Sequence, residues 1–286
     1  RGYDSAGVAT LVDGEIGRRR AEGKIVNLEA VIDDEPLDGT TGIGHTRWAT
    51  HGLPTENNAH PHATDKVALV HNGIIENFQE LRESLASGGR AFQTETDTEA
   101  VVHLISSYLD DGMTPEEAVA EALPRLEGAF ALVMIFSGEE NLMIGARRGS
   151  PLAIGYGDGE MYFGSDALAL APLTQRICYL EEGDWAVIGR EEARIFDANN
   201  DNAQRPIVET ALSGALIGKG NYRHFMLKEI YEQPTVIGDT LHGVLNPATN
   251  TITMPPLPCD FAKIPRVTIS ACGTAYYAGL VSKYWL

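Results

Sequence analysis

Three short segments of the chain combine glycine with side chains that can hold or activate a small substrate. They are residues 1–7 (RGYDSAG), 45–52 (HTRWATHG) and 71–73 (HNG). The second segment contains Arg47, Trp48, Thr50 and His51. A planar bidentate donor, an aromatic ring and two hydrogen-bonding side chains thus fall within a few residues of each other. Such a set suits a small carboxylate ligand, whereas a lone arginine is more often a surface charge.

Asn72 and Gly73 follow a predicted strand at residues 67–71. An Asn-Gly pair in this position is typical of a tight turn, and the residues alone favour that interpretation. The alternative is an oxyanion hole, in which the glycine N–H and the asparagine amide point at an oxygen that becomes negatively charged during acyl transfer. Both interpretations stay open at the level of sequence.

Asp97 lies at the start of a predicted helix. The spacing of apolar residues predicts a helix from about Asp97, and Thr96 with Glu99 predicts a capping box at its start. An acid in the first turn is stabilised by the helix dipole whatever else it does. It could also pair with the ammonium group of a ligand.

The histidines and cysteines do not form a recognisable metal or disulfide pattern. The histidines considered are His45, His51, His60, His62 and His71. They lack the helical spacing and the accompanying carboxylate of a zinc site, so a metal is not favoured. Cys178, Cys259 and Cys272 are odd in number and widely spaced, which argues against a disulfide framework and fits a reducing cytoplasm.

Residues 272–274 form a loop that could bind phosphate. Residues 266–271 are predicted to be a strand, and a new helix is predicted after Gly273 and Thr274. A small-residue turn at a helix N-terminus presents backbone N–H groups that can hold a phosphate. Cys272 itself is predicted to be a buried structural thiol.

The composition favours a globular protein that binds neither nucleic acid nor membranes. The chain has 286 residues, 43% of them apolar, which suffices for one large domain or two. The formal net charge of -18 opposes binding to nucleic acid and to anionic membranes. The longest apolar run, residues 129–136, is far shorter than the roughly 20 residues of a transmembrane helix. The chain begins without methionine and ends within a predicted helix, so we expect both ends to be internal to a longer protein.

The elements predicted along the chain indicate a mixed sheet covered by helices, followed by a second α/β domain. Thr114, Pro115 and Glu117 predict a second helix start. Weak periodicity predicts a linker within residues 199–221, and Pro234 is expected to end a helix at residues 223–233. The predicted strands lie at residues 129–136, 142–146, 152–155 and 161–163, with a hairpin turn at residues 157–159.

Taken in order, the segments at residues 1–7, 45–52 and 71–73 resemble the class II glutamine amidotransferases. That resemblance implies an α+β fold, the four-layer αββα sandwich of the Ntn hydrolases. Within the class, residues 45–52 and 224–234 (HFMLKEIYEQP) resemble the glucosamine-6-phosphate synthases, and residues 271–274 (ACGT) resemble the first sugar-phosphate loop of their sugar isomerase (SIS) domain. The resemblance implies a glutaminase domain at residues 1–212 lacking its N-terminal strand, a linker at 213–223 and the beginning of an α/β sugar isomerase domain at 224–286.

The resemblance also implies roles for individual residues. Arg47 would bind the α-carboxylate of glutamine and Asp97 its α-amino group, and Thr50 and His51 would complete the pocket. Asn72 and Gly73 would form the oxyanion hole. The remaining implied residues are Arg1 near the nucleophile, Trp48 as the gate of an ammonia channel, and Cys272, Gly273 and Thr274 around the sugar phosphate. Ala275 stands where the family commonly has serine, which puts one hydroxyl contact to that phosphate in doubt.

The implied activity is the glutamine-dependent conversion of fructose 6-phosphate to glucosamine 6-phosphate, the first step of UDP-GlcNAc synthesis. The nucleophile would be an N-terminal cysteine upstream of Arg1. The resemblance implies a homodimer that associates through its isomerase domain. No cofactor or metal is expected, and the cysteine usage fits a cytoplasmic location. One alternative is amidophosphoribosyltransferase, against which the Glu-Gln-Pro sequence at residues 232–234 argues. The other is a non-catalytic sugar-phosphate sensor, which the sequence upstream of Arg1 would distinguish.

Overall fold

The computed structural model describes residues 4–48, 52–210, 222–242, 245–246, 251–252 and 263–285. The chain divides into two compact units, Arg1–Gly218 and Lys219–Leu286. The predictions made for Arg1, Thr50, His51 and Cys259 lie outside the described residues, as do residues 211–221. Along the described chain, no helix is both long enough and apolar enough to cross a membrane.

The first unit contains helices and strands in mixed order. Its helices are α1 (Ile25–Asp34), α2 (Phe78–Ser87), α3 (Asp97–Asp110), α4 (Pro115–Ala122) and α5 (Ala167–Leu170). Its strands are β1 (Ser5–Val12), β2 (Glu15–Glu22), β3 (Thr41–Arg47), β4 (His62–Ala63), β5 (Val67–Ile75), β6 (Gly128–Phe136), β7 (Met143–Arg148), β8 (Ala153–Tyr156), β9 (Met161–Gly164), β10 (Arg176–Tyr179), β11 (Trp185–Ile188), β12 (Ala193–Phe196), β13 (Asn202–Ala203) and β14 (Ile207–Glu209).

These strands form three antiparallel sheets. A seven-stranded sheet has the order β13-β12-β11-β7-β6-β5-β4, and the two smaller sheets have the orders β2-β1-β3 and β14-β10-β8-β9. Both faces of the large sheet are buried, as the alternation along β5 shows. Val67 and Leu69 pack towards helices α2, α3 and α4, whereas Ala68 and Val70 pack towards the smaller sheets. Side chains of a strand alternate between faces, so β5 contributes to both apolar layers.

The layers follow the order helix, sheet, sheet, helix. On the outer side of the smaller sheets, Leu28 of α1 packs on Ala6 and Ala21, and Leu170 of α5 packs on the β8–β10 sheet. The α+β prediction is confirmed, and the layering agrees with an αββα sandwich. The predicted strands β6 to β9 are present, and β8 and β9 pair as the expected hairpin.

The N-termini of α3 and α4 differ in their capping. At α4 the capping box is formed as predicted, since Thr114 N–H donates to Glu117 Oε2 at 2.9 Å and Glu117 N–H donates back to Thr114 Oγ1 at 3.3 Å. At α3 the helix begins at Asp97 as predicted, but the Thr96–Glu99 capping box is wrong. The Thr96 hydroxyl makes no cap bond. The chain turns so that Glu99 instead accepts the backbone N–H of Gln93 at 2.7 Å and of Thr94 at 2.8 Å.

The linker predicted within residues 199–221 is wrong in its first part. Residues 202–203 and 207–209 are strands β13 and β14, and they pair with β12 and β10. Short polar strands at the edges of sheets give little periodic signal, which explains the error. The domain boundaries at residues 212 and 224 stay a prediction.

The second unit contains helix α6 (Phe225–His242), strands β15 (Leu245–Asn246) and β16 (Thr251–Ile252), and helix α7 (Gly273–Ser282). The prediction that Pro234 ends a helix is wrong, since Pro234 lies inside α6. A proline lacks the N–H that would bond to the preceding turn, and the backbone bonds on either side keep α6 continuous. The predicted strand at residues 266–271 is also wrong. These residues have no ladder partner in the described chain, and a strand without a partner is not stable.

The loop before α7 agrees only in part with its prediction. Helix α7 begins at Gly273, directly after Cys272, as expected. Cys272 is exposed, however, and the prediction of a buried structural thiol is wrong. The error has the same origin as the missing strand, because no sheet partner among the described residues covers residues 266–272. Helix α7 ends at Ser282, four residues before the end of the chain, although the sequence predicted a helix that continues to Leu286.

Candidate active site

A cavity of about 630 Å³ lies within the first unit, where β3, β5 and the N-terminus of α3 meet. Residues predicted to bind a ligand line it from three different elements: Arg47 and Trp48 from β3 and its end, Asn72 and Gly73 from β5, and Asp97 from α3. Successive side chains of a strand point to opposite faces of the sheet, and this alternation explains the arrangement. Arg47 shares a face of β3 with Ile43, and Asn72 shares a face of β5 with Val70. Ile43 and Val70 belong to the apolar layer between the sheets.

Arg47, the last residue of β3, is buried rather than on the surface. Only 3% of the residue is exposed, so the interpretation as a surface charge is wrong. Its Nη1 donates to the carbonyl of Leu53 and its Nη2 to the carbonyl of Gly52, both at 3.2 Å. Asp4 Oδ1 lies 3.8 Å from Nη1. Burial lowers the pKa of Arg47, while Asp4 and Asp97 oppose that shift. The cation is thus held at the cavity wall beside two carboxylates.

Asp97 is the first residue of α3 and is also buried. Its Oδ2 accepts the backbone N–H of Ile75 at 2.9 Å, and its Oδ1 accepts the backbone N–H of Thr98 at 3.0 Å. A carboxylate has about four lone-pair positions, so two backbone bonds leave capacity for a ligand ammonium group. The structural and the ligand-binding interpretations of Asp97 are therefore compatible.

Asn72 and Gly73 lie inside β5 and do not form a turn, so the favoured sequence interpretation is wrong. They pair with Ala131 and Phe130 of β6, which continues past them and keeps the ladder intact. Gly73 has φ +125°, and a Cβ atom there would lie 2.0 Å from the carbonyl oxygen of Ala129. The position therefore requires glycine because the neighbouring backbone approaches so closely. Whether the pair forms an oxyanion hole stays a prediction.

Four histidines meet beside the cavity, which the sequence did not reveal. The ring centroid of His60 lies 4.5 Å from that of His45, 4.8 Å from that of His62 and 6.4 Å from that of His71. Thr98 Oγ1 lies 3.0 Å from both His60 Nε2 and His71 Nδ1. The spacing of His60 and His62 could have indicated two histidines on one strand face, but their convergence with His45 and His71 depends on tertiary structure.

Burial disfavours the charged forms of His60 and His62. Burial, followed by the charges of neighbouring histidines, lowers the pKa of His60 well below its usual value. Burial, Arg20 and Arg18 lower the pKa of His62 to about 3. Within the residues that the structure describes, no group of three or more His, Cys, Asp or Glu side chains could hold a metal ion.

Two arginines on β2 hold the segment that carries His60. Arg18 Nη1 donates to the carbonyl of Pro61 at 3.0 Å. Arg20 Nη1 donates to the carbonyls of Asn57 and Ala59 at 2.8 and 3.1 Å. Burial is the main reason that the pKa of Arg18 falls to about 10. These bonds to backbone oxygens hold the loop against the sheet.

Comparison with known proteins decides the family. Residues 45–172 match the family described as "Glutamine amidotransferase domain". The whole chain is 62% identical over 286 residues to a protein of Bradyrhizobium diazoefficiens named glutamine–fructose-6-phosphate aminotransferase (isomerizing). A protein of the same name from Brucella abortus is 58% identical over 285 residues. Residues 45–172 thus form a class II glutamine amidotransferase domain. The chain spans 47% of the length of each of these two relatives, about half.

Solved structures support the same fold for the amidotransferase. Glutamine phosphoribosylpyrophosphate amidotransferase from B. subtilis, complexed with ADP and GMP, superposes with a TM-score of 0.58 and 28% identity, covering 70% of this chain and 44% of that one. A structure described as the allosteric regulatory enzyme of purine biosynthesis gives a TM-score of 0.58 and 27% identity, covering 69% of this chain and 43% of that one. The expected Ntn-hydrolase fold of the amidotransferase is thus confirmed.

The remaining predicted site residues in the described chain are Trp48 and residues 272–274. Trp48 lines the cavity but is 77% exposed. Cys272, Gly273 and Thr274 belong to the second unit, where all three are exposed. Chemically, the cavity of the amidotransferase offers a cation at Arg47, an anion at Asp97 and the polar side chain of Asn72. Those groups match the α-carboxylate, the α-ammonium and the amide of an amino acid such as glutamine.

Proposed function

We propose that the protein to which this chain belongs converts glutamine and fructose 6-phosphate to glutamate and glucosamine 6-phosphate. The observation that carries the proposal is the convergence of Arg47, Asp97 and Asn72 on one cavity. Arg47 and Asp97 place opposite charges on two walls of the cavity. These charges can bind the α-carboxylate and the α-ammonium of a zwitterionic amino acid. The side chain of that amino acid then extends towards Asn72 and Gly73.

Each residue has a role in this proposal. Arg47 pairs with the α-carboxylate, since a guanidinium matches a carboxylate in a bidentate manner. Asp97 accepts hydrogen bonds from the α-ammonium group. It uses the carboxylate lone pairs that are not already bonded to the backbone N–H groups of Ile75 and Thr98. The amide N–H of Asn72 and the backbone N–H of Gly73 stabilise the negative oxygen of the tetrahedral intermediate.

The nucleophile in this proposal is the N-terminal cysteine that the family resemblance implies, upstream of Arg1. Its α-amine, with a pKa of roughly 8, takes the thiol proton. The sulfur forms a bond to the amide carbon, the C–N bond breaks, and the proton leaves with the ammonia. Water then attacks the thioester, releasing glutamate and restoring the thiol. Arg1 would lie near this centre, and Thr50 and His51 would complete the pocket.

The ammonia is consumed in the second half of the reaction. Its nitrogen forms a bond to the carbonyl carbon of fructose 6-phosphate, the carbonyl oxygen leaves as water, and isomerisation from ketose to aldose completes the product. In the proposal Trp48 gates the path of ammonia. The backbone N–H groups at residues 272–274, before α7, hold the sugar phosphate, as free N–H groups at a helix N-terminus favour anions. Dimerisation through the isomerase domain and a cytoplasmic location are parts of the same proposal.

The named relatives favour this function over that of a phosphoribosyl-transferring enzyme. The whole chain, including the second unit, aligns with proteins named glutamine–fructose-6-phosphate aminotransferase. The B. subtilis structure covers only 70% of the chain. A sensor that has lost its nucleophile would keep the same cavity, so activity has to be measured.

The test supplies the full-length protein with glutamine labelled with ¹⁵N at the side-chain amide, and with fructose 6-phosphate and phosphoribosyl pyrophosphate in parallel assays. We expect glucosamine 6-phosphate carrying one ¹⁵N, detected by mass spectrometry, with unlabelled ammonium in the buffer as a competing source. Labelled phosphoribosylamine from phosphoribosyl pyrophosphate, with no amino sugar, would contradict the proposal. Glutamine binding without any turnover would support the sensor.

A further inference from the structure

We infer that His45 is a positioning residue that orients the side-chain amide of Asn72 for the amidotransferase reaction. The inference rests on the proposed function, in which Asn72 stabilises the negative oxygen. His45 Nε2 lies 2.9 Å from Asn72 Oδ1. His45 is on β3 and Asn72 is on β5, so this hydrogen bond joins two different sheets across the cavity.

Asn72 depends on this bond for its orientation. The residue is exposed to the cavity, and in the described part of the chain its amide oxygen bonds to the side chain of His45. The two orientations of an asparagine amide have nearly the same shape. With Oδ1 tied to His45, the NH₂ group faces away from the imidazole and can donate to a substrate oxygen. In the opposite orientation the amide oxygen would repel the developing negative charge.

His45 is suited to fix that orientation because its protonated nitrogen is defined. Nδ1 of His45 is buried and has no hydrogen-bond partner in the described chain. Among the hydrogen bonds of the described chain, the ring contacts the acceptor Asn72 Oδ1 through Nε2. Buried N–H groups are rarely left unpaired, so the ring carries its hydrogen on Nε2 and donates it to Asn72. A neutral asparagine oxygen accepts this hydrogen, and the amide N–H groups remain for the substrate.

The imidazole is itself held in place. Its ring packs against His60 with an interplanar angle of 41°. His60 is anchored by Thr98 on α3. Burial is the main cause that lowers the pKa of His45, and Arg47 adds to it, whereas the bond to Asn72, the His71 carbonyl and Asp4 oppose it. The charged form would also donate from Nε2, so we expect the orienting effect to be insensitive to pH.

The experiment compares three substitutions of His45 in the full-length protein by steady-state glutaminase kinetics. His45→Phe keeps the ring but removes the donor. Loss of one oxyanion donor costs about 10²–10³ in kcat, and we expect His45→Phe to lose about 10- to 100-fold, since a mobile amide still donates part of the time. The KM for glutamine should change little, because Arg47 and Asp97 make the ground-state contacts.

Two further variants distinguish positioning from packing. The amide nitrogen of His45→Gln can occupy the place of Nε2, whereas that of His45→Asn reaches only the place of Nδ1. We expect Gln to restore much of kcat and Asn to restore little. His103→Phe is the matched control, since His103 is a half-buried imidazole on α3 that pairs with Glu99 at 3.7 Å and does not line the cavity. Urea unfolding of each variant shows whether it is folded.

A double-mutant cycle with Asn72→Ala separates this inference from the proposed function. If His45 acts through Asn72, His45→Phe lowers kcat in the wild type but has no further effect in Asn72→Ala. The inference is overturned if the two losses multiply, or if His45→Phe keeps full kcat while Asn72→Ala is impaired, and in both cases the proposed oxyanion role stands. Full activity of Asn72→Ala would contradict the oxyanion role and the inference together.

Discussion

The carboxylate of Asp97 accepts a 2.9 Å hydrogen bond from the backbone nitrogen of Ile75, two residues beyond Gly73 in β5. This bond ties the start of α3 to the strand that carries Asn72 and Gly73. The proposed partner of the glutamine ammonium and the proposed donors to its carbonyl oxygen are therefore fixed with respect to each other. Such preorganisation is what positions a substrate for attack.

Asp97→Asn should raise the KM for glutamine strongly, because a neutral amide cannot pair with the α-ammonium. Some loss of stability is also expected, roughly 1–3 kcal/mol, since the amide NH₂ must face the N–H of either Ile75 or Thr98. Glu80→Gln is the control, as Glu80 is an exposed acid in the first turn of α2. An unchanged KM in Asp97→Asn would return Asp97 to a purely structural role.

Arg47→Lys should also raise the KM for glutamine while keeping the positive charge. A lysine cannot form the two parallel hydrogen bonds of a guanidinium with a carboxylate. It also cannot contact the carbonyls of both Gly52 and Leu53 in the same geometry. Isothermal titration with glutamate, which has the same α-substituents, provides an activity-independent measure. Equal affinity in the variant and wild type would argue against a bidentate role.

Gly73→Ala should destabilise the first unit by about 3 kcal/mol or more, through backbone strain and a clash. The added Cβ would lie 2.0 Å from the Ala129 carbonyl oxygen and 2.8 Å from Phe130 Cα. Gly89→Ala is a matched control, because Gly89 has φ +94° but nothing within 4 Å of the added atom. The difference between the two urea midpoints isolates the clash. Similar midpoints would show that β5 and β6 separate easily at this point.

The stability of the protein should fall as the pH decreases below about 6.5, the usual histidine value. The pKa of His62 is about 3 in the folded state, owing to burial, Arg20, Arg18 and Arg47, with Glu99 opposing. The unfolded chain binds the proton first, so this contribution is complete above about pH 6.5 and is lost progressively down to about pH 3. The loss is roughly 1 kcal/mol per pH unit for one such group.

The matching measurement is urea unfolding at pH 7, 6 and 5, for wild type and His62→Gln. Glutamine keeps a polar atom facing Thr96, which lies 3.2 Å from His62 Nε2, but it does not titrate. We expect a shallower pH dependence in the variant. If the two slopes agree, the pH dependence does not arise from His62.

Local patterns predicted much of the fold. Helices α3 and α4 and strands β6 to β9 carry periodic apolar residues long enough to specify their type. The errors arose where a distant partner overrides a local preference. Asn72 and Gly73 would form a turn in isolation, but β6 extends alongside them for the full length of β5. The Thr96 hydroxyl is drawn to His62 rather than to its own helix.

The site was predictable to the extent that its residues lie in short motifs. Arg47, Asp97 and Asn72 stood out because of their neighbours in sequence, and the structure brings all three to one cavity. His45 and His60 did not stand out as a pair, since 15 residues separate them and only the packing of β3 against residues 57–61 brings their rings together. No sequence pattern encodes a contact of that kind.

Glutamate release from glutamine tests the central claim most directly, namely that this cavity works with an N-terminal cysteine upstream of Arg1. Three proteins are compared: the form with that cysteine, its variant with alanine in that place, and the polypeptide of residues 1–286. The internal cysteines have no α-amine of their own to activate them. We predict turnover only by the form with the N-terminal cysteine. Equal turnover by residues 1–286 would contradict the account.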